Sequence, residues 1–113
     1  MSINNSKAKC EAVASNIINN INIEIVRWQN ICKRKDGQLP PVSRSLPKVV
    51  ANDLSDCRDI ADAIRREDLE FARFMMVRRD TEVRELIGQE AYDFLMAVEV
   101  PEYVANPAMV EFR

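Results

Sequence analysis

From Ser6 to Lys35 the chain runs without proline or glycine, and Cys10, Ala14, Ile17, Ile21, Ile25, Trp28 and Cys32 recur at steps of three or four. That period draws one apolar stripe along a helix. Ser6 is an N-cap residue type, Lys33, Arg34 and Lys35 suit the negative end of a helix dipole, and Gly37 can take the left-handed closing conformation. A competing reading is a β-hairpin. Ile21, Ile23 and Ile25 alternate and are β-branched, with Asn19-Asn20 as the turn, but the unbroken length and the end signals favour the helix.

A straight helix over residues 7–35 is about 43 Å long at ~1.5 Å per residue, whereas a compact domain of this size has a radius of gyration of only ~13 Å. Either the helix breaks near Asn19-Asn20, or a second chain covers its overhanging stripe in a coiled-coil-like homodimer. The isoleucine-rich face favours the homodimer.

Residues 36–48 read as a stiff proline-rich linker, because Pro40, Pro41 and Pro47 remove donors and hold extended geometry. Leu39-Pro40-Pro41 is too short a motif to require an SH3-type partner, and a plain connector accounts for it. Beyond it, Leu54, Cys57, Ile60, Ala61 and Ile64 share a helical face, with Asp53 or Ser55 as a start signal and Arg65-Arg66 as the end. Leu69, Ala72, Met75, Met76, Val83, Leu86 and Ile87 continue the period, with a capped break at Asp80-Thr81. Ala91, Phe94, Leu95 and Val98 carry it past Gly88. The run Phe74-Met75-Met76-Val77 cannot all face one core from a surface helix. It predicts either a central helix or a methionine flank that meets a partner. Pro101 ends the pattern, and residues 101–113 read as an irregular tail that straps the core or binds a partner.

The pattern predicts an all-α fold: a single domain, 1–113, forming a small bundle of four or five helices. Its parts are a long N-terminal helix over 6–35, the linker 36–48, a bundle part over 49–100 and the tail. A length of 113 residues with 47% hydrophobic and 30% charged residues belongs to a globular chain with one real core. The most apolar stretch, Ile17 to Val26, is broken by Asn19, Asn20, Asn22 and Glu24, so neither a signal peptide nor a membrane span is expected. Cys10, Cys32 and Cys57 match no disulfide or zinc spacing, which favours a reduced, cytoplasmic setting.

Charge changes the picture. Residues 1–48 hold eight Lys/Arg against three Asp/Glu, a surplus of five positive charges; residues 49–113 hold eight against fifteen, a surplus of seven negative ones. The asymmetry means either a basic arm for an acidic partner or two segments of one fold attracting each other, and the second reading is preferred.

Candidate chemistry is sparse. The chain has no histidine, which removes imidazole bases, shuttles and ligands. Its cysteines fall at apolar stripes, where inert thiols sit, and two glycines cannot build a phosphate loop. No catalytic, cofactor or metal site is expected. Asp53, Asp56, Asp59 and Asp62 wind around a helix at steps of three, so they do not converge on an ion; their plain role is a solvated face whose acids pair locally, Asp62 with Arg65 or Arg66.

The expected function is a non-enzymatic protein-binding regulator, inhibitor or adaptor that occupies a partner protein's surface. Small acidic proteins of phage, plasmid or bacterial origin that block host complexes share this build, although no motif here carries that likeness. Candidate partner-binding residues are Trp28, Lys33, Arg34, Lys35 and Arg44 on the basic side and Asp56, Asp59 and Asp62 on the acidic side. The rival reading is a helical nucleic-acid binder using residues 27–48, with cations on phosphates and Trp28 stacked on a base. Against it, Trp28 lies on the apolar stripe, so a core tryptophan is the simpler reading.

Overall fold

The computed structural model describes the backbone of residues 3–99 and the side chains from Ser6 to Glu99. Among these residues the fold is all-α. The helices are α1 (Ile3–Ile31), α2 (Val42–Ser45), α3 (Lys48–Arg65), α4 (Leu69–Arg78), α5 (Thr81–Ile87) and α6 (Gln89–Met96). Six helices replace the expected four or five because the linker contains the four-residue turn α2 and because Asp80 and Gly88 divide the later stretch into three. No described helix is long and apolar enough to cross a membrane. The tail 101–113 lies outside the described residues.

Helix α1 is continuous through Asn19-Asn20, and the hairpin alternative is excluded. It starts at Ile3, so Ser6 is not its cap. It also ends earlier than expected, at Ile31, and Gly37 (φ +86°) instead serves a separate turn in which its N–H donates to Arg34 O at 2.9 Å. Asn20 explains why a polar residue sits in the apolar stretch without breaking the helix. Its Nδ2 donates to Ile87 O at 3.2 Å, across at the end of α5. There Gly88 takes φ +92°, and a Cβ on it would stand 3.0 Å from that nitrogen; only glycine meets both demands.

The predicted stripe forms part of the core from Cys10 to Ile21. Cys10, Val13, Ala14, Ile17 and Ile21 on α1 are buried against Leu54, Cys57, Ile60, Ala61, Ala63 and Ile64 of α3. Helix α3 starts at Lys48 after Pro47, ahead of the expected Asp53 or Ser55, since proline's fixed φ and missing N–H suit a helix entrance. It is the central element, touching α1, α4 and α5. Its end is a Schellman closure: Asp68 N–H donates to Ala63 O and Glu67 N–H to Ile64 O, with Glu67 at φ +62° where glycine is usual.

The outer helices are set by local chemistry. Asp80 caps α5 by accepting from Val83 N–H at 3.1 Å, as the Asp80-Thr81 signal predicted. On α4, Met75 and Met76 point into the core, while Phe71 is exposed and Phe74 half-buried beneath the Arg78 guanidinium at 5.3 Å. The partly open flank of α4 is therefore phenylalanine, not methionine, and α4 is not the central helix. Arg73 Nη1 donates to the carbonyls of Met96 and Val98, closing the C-terminal end of α6.

The overlong helix finds a third solution beyond the two expected. The linker folds back along it: Gln29 Nε2 donates to Pro40 O at 3.0 Å and Cys32 Sγ approaches Ser45 O at 3.6 Å. Helices α2, α3 and α5 all pack against α1, and Ile21 is 1% exposed. The stripe that motivated the homodimer is closed by the chain's own residues as far as Ile21, while Ile25 and Trp28 are half-buried and Cys32 is exposed. The resulting body measures 53 × 39 × 19 Å, long and flat.

Candidate functional site

The C-terminal half of α1, the start of α3 and helix α5 leave a groove between them of about 420 Å³, lined by Glu24, Trp28, Val50, Asp53, Glu82, Glu85 and Leu86. It draws on three helices. Trp28 is half-buried, and its indole N–H donates to Glu24 Oε1 at 3.1 Å, one turn back on the same helix. That bond fixes the ring as a wall and satisfies its one polar atom. Glu24 is held in turn by Arg27 at 2.6 Å, whose guanidinium carbon lies 5.8 Å from the indole centroid. Val50 and Leu86 add the aliphatic surface.

The rim is acidic and unbalanced. Asp53, Glu82 and Glu85 form no ion pair or side-chain hydrogen bond among the described residues. Partial burial, then the neighbouring charges of Asp80, Glu82 and Asp56, push the Asp53 carboxyl above its ordinary value. Three like charges thus stand on the rim without an ion pair among the described residues, while Arg27, the cation beside the indole, pairs with Glu24.

The expected acidic residues are scattered. Asp56 is half-buried and pairs with Arg79 at 3.5 Å, while Asp59 and Asp62 are exposed along α3. Asp62 does not pair with Arg65 or Arg66, because Arg65 reaches across to Glu11 of α1 at 3.1 Å and to Ser15. Among the described residues no group of three or more Cys, Asp or Glu is arranged to hold a metal ion.

The basic candidates follow the groove's tryptophan along the chain. Lys33, Arg34 and Lys35 lie just past the end of α1, Arg44 in α2 and Lys48 at the start of α3, all of them exposed. Among the described residues their one ion pair is Arg34 with Asp36 at 3.8 Å. The preferred reading of the charge asymmetry is thus met only at the far end of α1, where Lys9 pairs with Glu90 at 3.3 Å. No ion pair joins residues 27–48 to the acidic part among the described residues.

The cysteines divide. Burial raises the Cys10 thiol and, aided by Asp53, Asp56 and Asp80, pushes Cys57 up to about 12, so both stay protonated and unreactive. Cys32 is exposed, contrary to its place on the stripe, because it lies just past the last helical residue of α1.

The core-tryptophan reading is corrected, since Trp28 is half-buried as a groove wall outside the core cluster, and its groove neighbours were not foreseen. Glu24 interrupts the stripe one turn before Trp28, and that acid in an apolar register was the available signal. Comparison with family models, curated proteins and solved structures returned no match.

Proposed function

We propose that the chain is a non-enzymatic protein-binding module, a regulator, inhibitor or adaptor that works by occupying a surface of another protein. The observation that carries this reading is the groove: a pinned indole, two aliphatic walls and three unpaired carboxylates in one concavity. A partner segment that alternates aliphatic and basic side chains fits it, apolar groups against Val50 and Leu86 and a cation beside Trp28 and the rim. The high thiol of Cys57 and the missing imidazoles support a role without catalysis.

The nucleic-acid reading keeps its exposed cations, Lys33, Arg34, Lys35 and Arg44, but its stacking residue stands among carboxylates that repel phosphate. Protein is the better-supported partner.

Trp28 is the chain's one tryptophan, so its fluorescence reports on the groove directly. Titration with a synthetic peptide alternating leucine and lysine should shift the emission saturably, and E82Q/E85Q should weaken binding by ~10-fold. A peptide with glutamate in place of lysine should leave it unchanged. No shift with the lysine peptide, or equal shifts with both, overturns the reading; a salt-sensitive shift with a single-stranded oligonucleotide that K33A/R34A/K35A abolishes would favour nucleic acid instead.

A further inference from the structure

Resting on the reading of the groove as a protein-docking site, we infer that its occupant is a second copy of this chain, whose Lys33-Arg34-Lys35 loop enters between Trp28 and the carboxylate rim. Three observations converge on that occupant. First, the rim carboxylates Asp53, Glu82 and Glu85 and the cations Lys33, Lys35, Arg44 and Lys48 are both left without ion pairs among the described residues. The molecule holds complementary charges that it does not join internally.

Second, the loop is built to meet an apolar floor as well as a charged rim. Ile31 precedes the three cations and Leu39 follows them, 59% and 47% exposed. Of the eight large hydrophobic residues exposed on the described surface, six fall between Ile23 and Val49, the stretch of chain that holds this loop. Apolar surface of that concentration marks an interaction site.

Third, the two patches lie side by side. Lys33 is five residues past Trp28, on the order of 10 Å along the helix and its closing turn. The turn that ties Arg34 to Gln38 and Gly37 holds the loop beyond the end of α1, and none of its cations meets the groove of its own chain. Adjacent patches of opposite sign become mutually complementary when one copy is rotated by a two-fold axis, so each loop fills the other copy's groove. The pairing inferred here uses the outward charges of this end and not the isoleucine stripe.

The test is sedimentation velocity on the full chain over a range of concentrations and salt. The wild type should dimerise at low ionic strength and shift toward monomer as salt screens the contacts. K33E/R34E/K35E alone and E82K/E85K alone should each weaken self-association by ~10-fold or more. Mixing the two variants in equal amounts should restore a dimer, since the acidic loop of one then faces the basic rim of the other. All five positions are exposed, and circular dichroism of each variant checks that it folds. A wild type that stays monomeric at low salt, a dimer indifferent to both variants, or a mixture that does not pair overturns the inference. The loop variant titrated with the leucine-lysine peptide separates the two claims: a Trp28 shift there preserves the groove reading when self-pairing fails, and its absence removes the groove reading as well.

Discussion

The two halves of α1 are made of similar residues and do opposite things. Up to Ile21 the helix is a structural beam: its stripe is buried, and its outer polar residues are spent on other elements, Lys9 on Glu90, Glu11 on Arg65 and Asn20 on Ile87. Beyond Ile21 the same helix carries exposed Ile23, Val26 and Ile31, a groove-wall tryptophan, and a run of cations with little to neutralise them. Satisfied contacts hold the fold in the first half. The second half keeps exposed apolar groups and cations that no ion pair neutralises among the described residues, apart from Arg27 with Glu24 and Arg34 with Asp36.

The comparison breaks most sharply at single aliphatic positions. Ile17 has no exposure, and Ile17→Ala should cost about 2–5 kcal/mol, from lost transfer energy and the cavity left behind. Val26, 48% exposed, should lose less than about 0.5 kcal/mol on the same truncation. Urea denaturation of both variants measures the contrast. Equal costs would mean that the outer half is as structural as the inner.

A second test sits at the boundary between the halves. Gly88→Ala forces a side chain into φ +92° and brings its Cβ to 3.0 Å from the Asn20 amide, so it should destabilise by roughly 1–3 kcal/mol. Asn20→Ala removes the hydrogen bond to Ile87 and opens that space. In the double variant part of the penalty should disappear, leaving the backbone strain alone, and a thermal or urea double-mutant cycle reads the coupling. Strictly additive effects would separate Gly88 from Asn20.

This division explains what the sequence made legible. The first half of α1 could be read because a buried stripe leaves a period of three to four, and Asp80 and Gly88 could be read because capping and positive φ demand particular residues. The fate of the second half depended on contacts between distant segments. Gln29 meeting Pro40, and α2 lying on α1, follow from no local period. The groove was hidden for the same reason: Trp28, Asp53 and Glu85 come from three helices, and none of them departs from an ordinary amphipathic pattern on its own. Charge asymmetry was visible from counting, but not that the cations of residues 27–48 would form no ion pair with the acidic part among the described residues.

The finest test of the comparison asks whether the groove half is held at a cost to stability. Partial burial, and after it the neighbouring carboxylates, raise Asp53 above its ordinary value, so its ionised form disfavours the fold. The penalty is complete above the folded pKa. It fades as pH falls through that value and is gone below the ordinary carboxyl range, where Asp53 is protonated in folded and unfolded chains alike. Asp53→Asn should therefore raise the melting temperature slightly at neutral pH and leave it unchanged near pH 3, measured against the wild type in matched buffers. The same substitution should weaken the leucine-lysine peptide in the Trp28 titration, because it removes one of the three unpaired rim charges. A variant that gains stability and loses binding together would mark Asp53 as a residue kept for the groove; one that loses stability at neutral pH would make it a structural carboxylate and return this face to the ordinary solvated surface of α3.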